Sequence, residues 1–257
     1  MDILRKELNA IYESQHLDSE ELNPLESERS KLLAEGIVRV GNGCAVVTDA
    51  ASDRSYLYIG SLGLLLGIVK SCPYAGEYGS SDEDCIYSRI HPEDLVEKRL
   101  LEYEFFRHID SLSGKEKVKY QATCRIRMKD TEEKYLMVDN TTQVIFPSPG
   151  GKIWLILCTY QLSSDQKRRG DINPVIKDTK SGRITPLSLS ERRKDVLSSR
   201  EKEILLLIKE GKASKQIADI LGISVHTVNR HRQNIIEKLS VGNSIEAITA
   251  AESMNLL

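Results

Sequence analysis

The sequence lacks the features that mark secreted and metal-binding proteins. Its five cysteines are Cys44, Cys72, Cys85, Cys124 and Cys158. They are odd in number and form no C-x-x-C pair, which is typical of buried free thiols in a reducing compartment rather than of disulfides or a zinc site. We therefore expect no metal site and a cytoplasmic location.

Long apolar runs are also missing. The longest, at 62–69, is much shorter than the ~20 apolar residues that cross a membrane. The N-terminal residues contain no apolar run of signal-peptide length. The sequence thus predicts a soluble protein with no membrane contact.

A strong net charge is lacking as well. The 257 residues include 36 Lys and Arg against 38 Asp and Glu, so composition alone does not indicate nucleic acid. Residues 191–257 carry eleven basic and nine acidic side chains. Because this excess is small, any binding of DNA by this segment would depend on groove contacts and dimerisation more than on nonspecific attraction.

No constellation of catalytic residues stands out. The G-N-G of 41–43 is a lone turn without the rest of a phosphate loop. His91 lies in a helix-start segment and His108 follows two phenylalanines on an amphipathic segment, so structural roles are favoured over haem ligation. The sequence predicts neither an enzyme nor an identified cofactor.

Two amphipathic helices separated by a short turn are predicted for 213–240. The apolar positions at helical spacing are Ile217, Ala218 and Leu221, then Val228, Ile235 and Leu239. Residues 222–224 supply the turn, and Ser224 is a favoured N-cap for the second helix. This is the pattern of a helix-turn-helix.

The polar side of the second helix indicates its use. On a helical wheel, the side chains away from the apolar stripe are His226, Asn229, Arg230, Gln233 and Asn234. Arg can donate two hydrogen bonds to guanine, and Asn and Gln pair with adenine. A solvated side is usually richer in Glu and Lys, and here only Glu237 and Lys238 are of that kind. His231 shares the side of Val228 and is interpreted as a core residue.

Other side chains of this segment can hold the sugar-phosphate backbone. We expect Lys215, Thr227 and Arg232 to contact phosphates, and the first turn after Ser224 to present free amides to a phosphate. Base reading is assigned to Asn229, Arg230 and Gln233. The candidate DNA-binding residues are Lys215, Ser224, His226, Thr227, Asn229, Arg230, Arg232, Gln233 and Asn234.

From Leu197 the sequence resembles the C-terminal DNA-binding domain of LuxR-type (NarL/FixJ) transcription regulators. The matching positions include Leu197, Arg200, Glu201, Glu203, Gly211, Ile217, Ala218, Leu221, Ser224, Thr227, Val228, His231, Lys238, Leu239, Val241 and Ala247. The resemblance implies an all-α domain of four helices over 195–257, with 225–240 in the major groove of double-stranded DNA. It also implies a homodimer formed through 244–254, and RNA polymerase as a partner if the protein is an activator.

Two capping patterns support these helices, and one position departs from the family. Ser198 with Glu201 and Asn243 with Glu246 predict the starts of the first and fourth helices as capping boxes. Many family members have Arg where this chain has Ser244, so a phosphate contact by that Arg is not expected here.

The N-terminal part has a different pattern. Residues 1–35 are predicted to be helical, with a break near Asn23 and Pro24. In 36–164, short apolar or alternating runs predict strands at 37–40, 44–48, 56–59, 118–128, 135–146 and 153–162, and a helix at 92–111. Strict alternation along 118–128 indicates a strand with one solvent-exposed face. We expect an α+β domain with an antiparallel sheet and flanking helices.

This order of early strands, helices and three long strands resembles a PAS domain. The I-H-P-E-D-L of 90–95 is similar to the H-P-x-D segment of that fold. PAS domains sense small molecules, redox state or light, or pair with one another. The resemblance implies a sensory or dimerisation domain over 36–164 whose ligand, if it has one, is unidentified.

Residues 165–194 are predicted to form a linker between the two domains. They are polar and punctuated by Gly170, Pro174, Gly182 and Pro186. The whole sequence then predicts a bacterial DNA-binding transcription regulator with an N-terminal sensory or dimerisation domain. The alternative is a protein-interaction or sigma-like polymerase-binding module, against which the apolar fourth helix argues.

Overall fold

A computed structural model of the chain describes residues 3–79, 84–167, 170–254 and 256–257. An antiparallel sheet with helices on both faces is followed by a group of C-terminal helices. The strands are β1 (Cys44–Asp49), β2 (Arg54–Ile59), β3 (Tyr74–Tyr78), β4 (Tyr120–Lys129), β5 (Tyr135–Pro147), β6 (Ile153–Leu162), β7 (Val175–Asp178) and β8 (Ile184–Pro186). Positions 1, 2, 80–83, 168, 169 and 255 of the predicted segments lie outside the described residues.

The helices of the N-terminal part flank the sheet. Those at the C-terminal end of the chain form a group of their own. They are α1 (Ile3–Glu13), α2 (Pro24–Gly41), α3 (Ser61–Leu65), α4 (Asp84–Tyr87), α5 (Pro92–Asp110), α6 (Gly114–Lys117), α7 (Ser190–Asp195), α8 (Ser199–Lys209), α9 (Ser214–Leu221), α10 (Val225–Lys238) and α11 (Ser244–Ser253). Within the part of the chain that is described, no helix has the length and apolar composition needed to cross a membrane.

The sheet order is β3-β2-β1-β6-β5-β4-β7-β8, and all paired neighbours are antiparallel. Along β4, Ala122, Cys124, Ile126 and Met128 are buried, while the residues between them are half-buried. The predicted alternation is therefore confirmed. The buried side of β4 faces a core that continues without interruption into the C-terminal helices.

The strand predicted at 37–40 is wrong, because these residues continue α2. Pro24 opens this helix and the side chain of Asn23 accepts a hydrogen bond from the amide of Leu25. Ala34 and Val38, one helical turn apart, are both buried against the second face of the sheet. Periodicity over four residues could not distinguish a short strand from the end of a long helix. The domain boundary predicted at 35/36 consequently falls inside α2.

All five cysteines are free thiols. Cys44, Cys124 and Cys158 are buried, as predicted, whereas Cys72 is exposed. Burial raises the pKa of the Cys124 thiol above its usual value. This thiol is therefore neutral and unreactive at physiological pH.

The segment predicted as a linker, 165–194, adds two strands to the sheet. β7 pairs with β4, with Val175 opposite Thr123, and β8 pairs with β7. Ile172 is fully buried, and its amide donates to the carboxylate of Glu97 at 3.2 Å. The strands have only four and three residues, too few to give a periodic signal among the glycines and prolines around them.

Whether 165–194 belongs to the folded core or is a free linker can be tested by measuring the free energy of unfolding. Ile172→Ala should lower the free energy of unfolding by ~2–5 kcal/mol, since it removes apolar atoms from a closed core. Ile184→Ala is the matched control, because Ile184 in β8 is 59% exposed and should change stability by less than ~0.5 kcal/mol. Denaturant unfolding of both variants checks this. Equal, small effects would mean that 165–194 behaves as a free connector.

Candidate nucleic-acid interface

Helices α8 to α11 form the four-helix arrangement that the sequence predicted. Their shared core consists of Ile204, Leu205, Ile217, Ala218, Val228, Ile235, Leu239, Ala247 and Ala251, each almost fully buried. The apolar stripes predicted for 213–240 therefore point inward as expected. This packing fixes which side of α10 remains outside.

The helix starts follow local capping chemistry. At α8, Ser198 and Glu201 form the predicted capping box. At α11, the side chain of Asn243 accepts from the amides of Ile245 and Glu246. The carboxylate of Glu246, however, accepts from the backbone amide of Gly242 at 2.7 Å and from the side-chain amide of Asn243 at 2.8 Å. In the predicted second capping box, the return hydrogen bond to Glu246 thus comes from the backbone amide one residue before the N-cap.

The turn between α9 and α10 is set by Gly222 and Ser224. Gly222 ends α9 with φ +64, a left-handed conformation in which a side chain would be strained. Ser224 Oγ then accepts from the amide of Thr227 at 3.0 Å and lies 2.8 Å from Thr227 Oγ1. The hydroxyl of the predicted N-cap Ser224 and that of Thr227, predicted to contact phosphate, are therefore adjacent at the N-terminal end of α10.

The outward side of α10 carries most of the predicted base-reading side chains. Asn229, Arg230, Gln233 and His226 are exposed and share the side opposite the buried Val228, whereas Asn234 is half-buried. Gln233 Nε2 donates to Glu237 Oε1 at 3.1 Å. Among the described residues, none is hydrogen-bonded to the guanidinium of Arg230. This group is available to a ligand approaching from outside.

Phosphate-contacting candidates lie around this surface in different settings. Lys215 is exposed in the first turn of α9. Arg232 is half-buried, and its guanidinium donates to Ser214 Oγ at 3.1 Å and to Ser244 Oγ at 3.2 Å. It thereby joins the starts of α9 and α11. Ser244 serves here as a hydrogen-bond acceptor for Arg232.

His231 occupies the inner side of α10, as predicted. Its ring is half-buried, and Nδ1 is shielded from solvent without a hydrogen-bond partner in the described part of the chain. Its position next to the core agrees with a packing role for the ring. His231 is accordingly separate from the exposed reading side.

Sequence reasoning missed a buried ion pair under α10. Lys238 was grouped with solvated side chains, but it is 6% exposed, and its ammonium lies 2.5 Å from the carboxylate of Glu201. Glu201 also completes the cap of α8 through Ser198. The pair therefore connects the C-terminal end of α10 to the first turn of α8. Its sequence signal was the joint occurrence of both residues in the LuxR-type pattern.

Breaking this pair should destabilise the domain strongly. Lys238→Ala leaves the Glu201 carboxylate buried without its cation and should cost ~3–5 kcal/mol. Lys209→Ala is the control, since Lys209 pairs with Glu252 at 2.6 Å while both side chains are about half exposed, and such pairs contribute at most ~1 kcal/mol. Thermal or denaturant unfolding gives both values. Similar losses for the two lysines would contradict the burial described here.

The C-terminal helices are attached to α5 through polar contacts. Arg99 donates to Ser240 Oγ at 3.1 Å, and the Ser253 hydroxyl donates to Glu93. The α7 side adds ion pairs of Arg192 with Glu104 at 2.6 Å and Arg193 with Glu97 at 2.7 Å. All of these contacts lie away from the exposed side of α10. The reading side therefore stays open while the domains are in contact.

Comparison with known proteins identifies the type of this C-terminal segment. Residues 195–251 match the family GerE, described as bacterial regulatory proteins, luxR family. The C-terminal segment is thus a LuxR-type domain. This confirms the resemblance inferred for the segment beginning at Leu197.

Curated relatives match only part of this chain. The transcriptional activator protein CarR of Pectobacterium carotovorum subsp. carotovorum is 47% identical over 64 residues, which are 25% of this chain and 26% of CarR. The transcriptional regulatory protein UhpA of Escherichia coli (strain K12) is 42% identical over 66 residues, 24% of this chain and 34% of UhpA. The transcriptional activator protein EchR of Dickeya chrysanthemi is 28% identical over 151 residues, 51% of this chain and 58% of EchR. The chain covers less than two thirds of each relative.

Solved structures overlap with this chain only loosely. A Vibrio cholerae VqmA dimer, a LuxR-type receptor, has 17% identity and a TM-score of 0.28, with 88% of both chains covered. Escherichia coli SdiA has 15% identity and a TM-score of 0.25, covering 66% of this chain and 94% of SdiA. Overlaps at these TM-scores carry no argument about ligand or arrangement.

Proposed function

We propose that this protein is a sequence-specific DNA-binding transcription regulator. The observation that supports it most is the outward side of α10, where Asn229, Arg230 and Gln233 stand together on a LuxR-type helix-turn-helix. These side-chain types form paired hydrogen bonds with base edges in the major groove. We assign no catalytic role to the protein.

Binding uses two copies of α10 in successive major grooves. A homodimer on a palindromic site would present its recognition helices about one helical turn, ~34 Å, apart. Within each half-site, Arg230 reads guanine and Asn229 and Gln233 read adenine. Lys215 and Arg232 hold the phosphates that fix the helix in its groove.

Phosphate contacts also follow from the N-terminal end of α10. Its first turn offers free amides, and the hydroxyls of Ser224 and Thr227 lie beside them. The positive end of the helix dipole favours an anion at this point. His226 and Asn234 flank the reading side and contact the backbone or base edges at either end of α10.

The N-terminal domain is the sensory or dimerisation unit, and its fold is PAS-like. Three early strands, helices and three long strands follow in the order typical of PAS domains, and the early strands join the late ones where β1 pairs with β6. The H-P-E-D of 91–94 opens α5. RNA polymerase is the partner if the protein activates.

Arg230→Ala should weaken binding to the preferred duplex by ~1–3 kcal/mol and relax the choice of base at one position of each half-site. The reason is that a bidentate contact to guanine disappears. Lys215→Ala is the matched variant: loss of a phosphate contact should lower affinity for all duplexes alike and reduce the salt dependence by ~1 in slope.

Selection of bound duplexes from a random pool by the full-length protein supplies the preferred site for these measurements. We expect a palindromic motif for the native chain and a motif degenerate at one position for Arg230→Ala. An affinity loss of equal size on every duplex for Arg230→Ala would refute its base-reading role. Recovery of no motif would favour the protein-interaction alternative.

A further inference from the structure

Helix α2 covers the sheet with only one of its sides. Ala34 and Val38 are buried on Trp154, Leu155 and neighbouring residues of β1 and β6. Because α2 has 18 residues, its opposite side is a continuous surface almost five turns long. A solvent-exposed helix side is usually polar, and the outer side of α2 departs from this.

The outer side of α2 carries large apolar residues. Leu25 is 62% exposed, Leu32 68%, Leu33 45% and Val40 88%. At ~100° per residue they fall in one stripe directly opposite Ala34 and Val38. Apolar side chains scattered singly on a surface are ordinary, whereas a stripe of four along one helix marks an interaction surface.

We propose that this stripe pairs α2 with α2 of a second copy of the chain, in antiparallel orientation. The two-fold axis passes between Leu32 and Leu33. In such an isologous contact, one residue of the first copy contacts a second residue of the other copy. The two-fold axis then repeats the same contact with the copies exchanged. Leu25 then lies opposite Val40, and Leu32 opposite Leu33.

The remaining residue of the stripe fixes the orientation. Arg29 lies at its centre, where it pairs with Glu26 of the same helix at 2.8 Å. A parallel pair would bring the two Arg29 guanidiniums together, and like charges repel. In the antiparallel pair Arg29 meets Gly36, where an added Cβ would find no atom within 4 Å. The glycine leaves room for the long arginine stem.

Charges along one edge of the stripe are complementary in the same arrangement. Glu28 and Arg39 are both largely exposed and lie on the same flank of α2, where Glu28 also pairs with Lys31 and Arg39 with Glu35 of the same helix, each at 2.8 Å. In the antiparallel pair Glu28 of one copy comes within about one helical turn of Arg39 of the other, twice per dimer. In a parallel pair they would be ~16 Å apart along the axis. Shape and charge therefore agree on one occupant, a second copy.

Pairing through one helix is a small interface, below the ~1,200–2,000 Å² of standard complexes. The dimer is therefore expected to be reversible and to be strengthened when two half-sites on DNA hold both copies. This reinforcement, unlike the pairing itself, rests on the proposed function.

The test measures molar mass against concentration for the full chain without DNA, by sedimentation equilibrium. Leu32→Glu should raise the dimer dissociation constant at least ~10-fold, since a charge is buried in the apolar contact. Ile184→Glu is the control, because Ile184 is similarly exposed but lies on β8. Unchanged circular dichroism and melting temperature of the monomer establish that both variants fold.

A charge exchange tests the orientation. Glu28→Arg and Arg39→Glu should each weaken the dimer several-fold, and the double variant should recover most of the loss if the pairs are intermolecular and antiparallel. Additive losses would overturn the orientation. A native chain that stays monomeric to millimolar concentration, or a dimer as sensitive to Ile184→Glu as to Leu32→Glu, would overturn the pairing. Neither outcome depends on whether the protein binds DNA.

Discussion

The structure depends on the complete burial of one helix that carries charge. Every residue of α5 from Asp94 to Glu102 is buried, so the helix must be covered on all sides. Buried charges are tolerated only when paired, and those of α5 find partners both within the helix and on other elements. Lys98 lies 2.6 Å from Glu102, Asp94 accepts from Arg127 of β4, and Glu97 meets Arg193 of α7. Loss of any covering layer would expose unpaired charges or apolar surface.

This requirement explains why the two halves of the chain are in contact. The sheet covers one side of α5, α1 covers another through Tyr12 against Phe106, and α7 with the ends of α10 and α11 covers the rest. Burial acts to raise the pKa of Glu93, but hydrogen bonds from Ser253 and Arg127 lower it overall. The contact therefore holds a carboxylate in its charged form. The segment 165–194 belongs to the same system, because Ile172 closes the core beside Glu97.

Sequence patterns predicted the elements with long, regular periodicity. The alternation of β4 and the apolar stripes of α9 and α10 were confirmed, since each side of these elements has a single environment. Prediction failed where periodicity was short, as at 37–40 and 175–178, because neighbouring structure decided between helix, strand and coil. It also failed at Lys238. No local pattern reveals that a lysine near the end of an exposed helix meets Glu201, which lies 37 residues earlier. The exposure of Arg230 was predictable because it follows from helical geometry and the core positions alone.

The proposed function requires that two copies of α10 read DNA from its major groove while the rest of the chain stays assembled. Methylation interference on a selected duplex, with the full-length protein, tests this most directly. We expect interference at guanine N7 in two patches about one helical turn, ~10 base pairs, apart, related by the two-fold axis of the site. A single patch, or interference confined to minor-groove adenine N3, would contradict it.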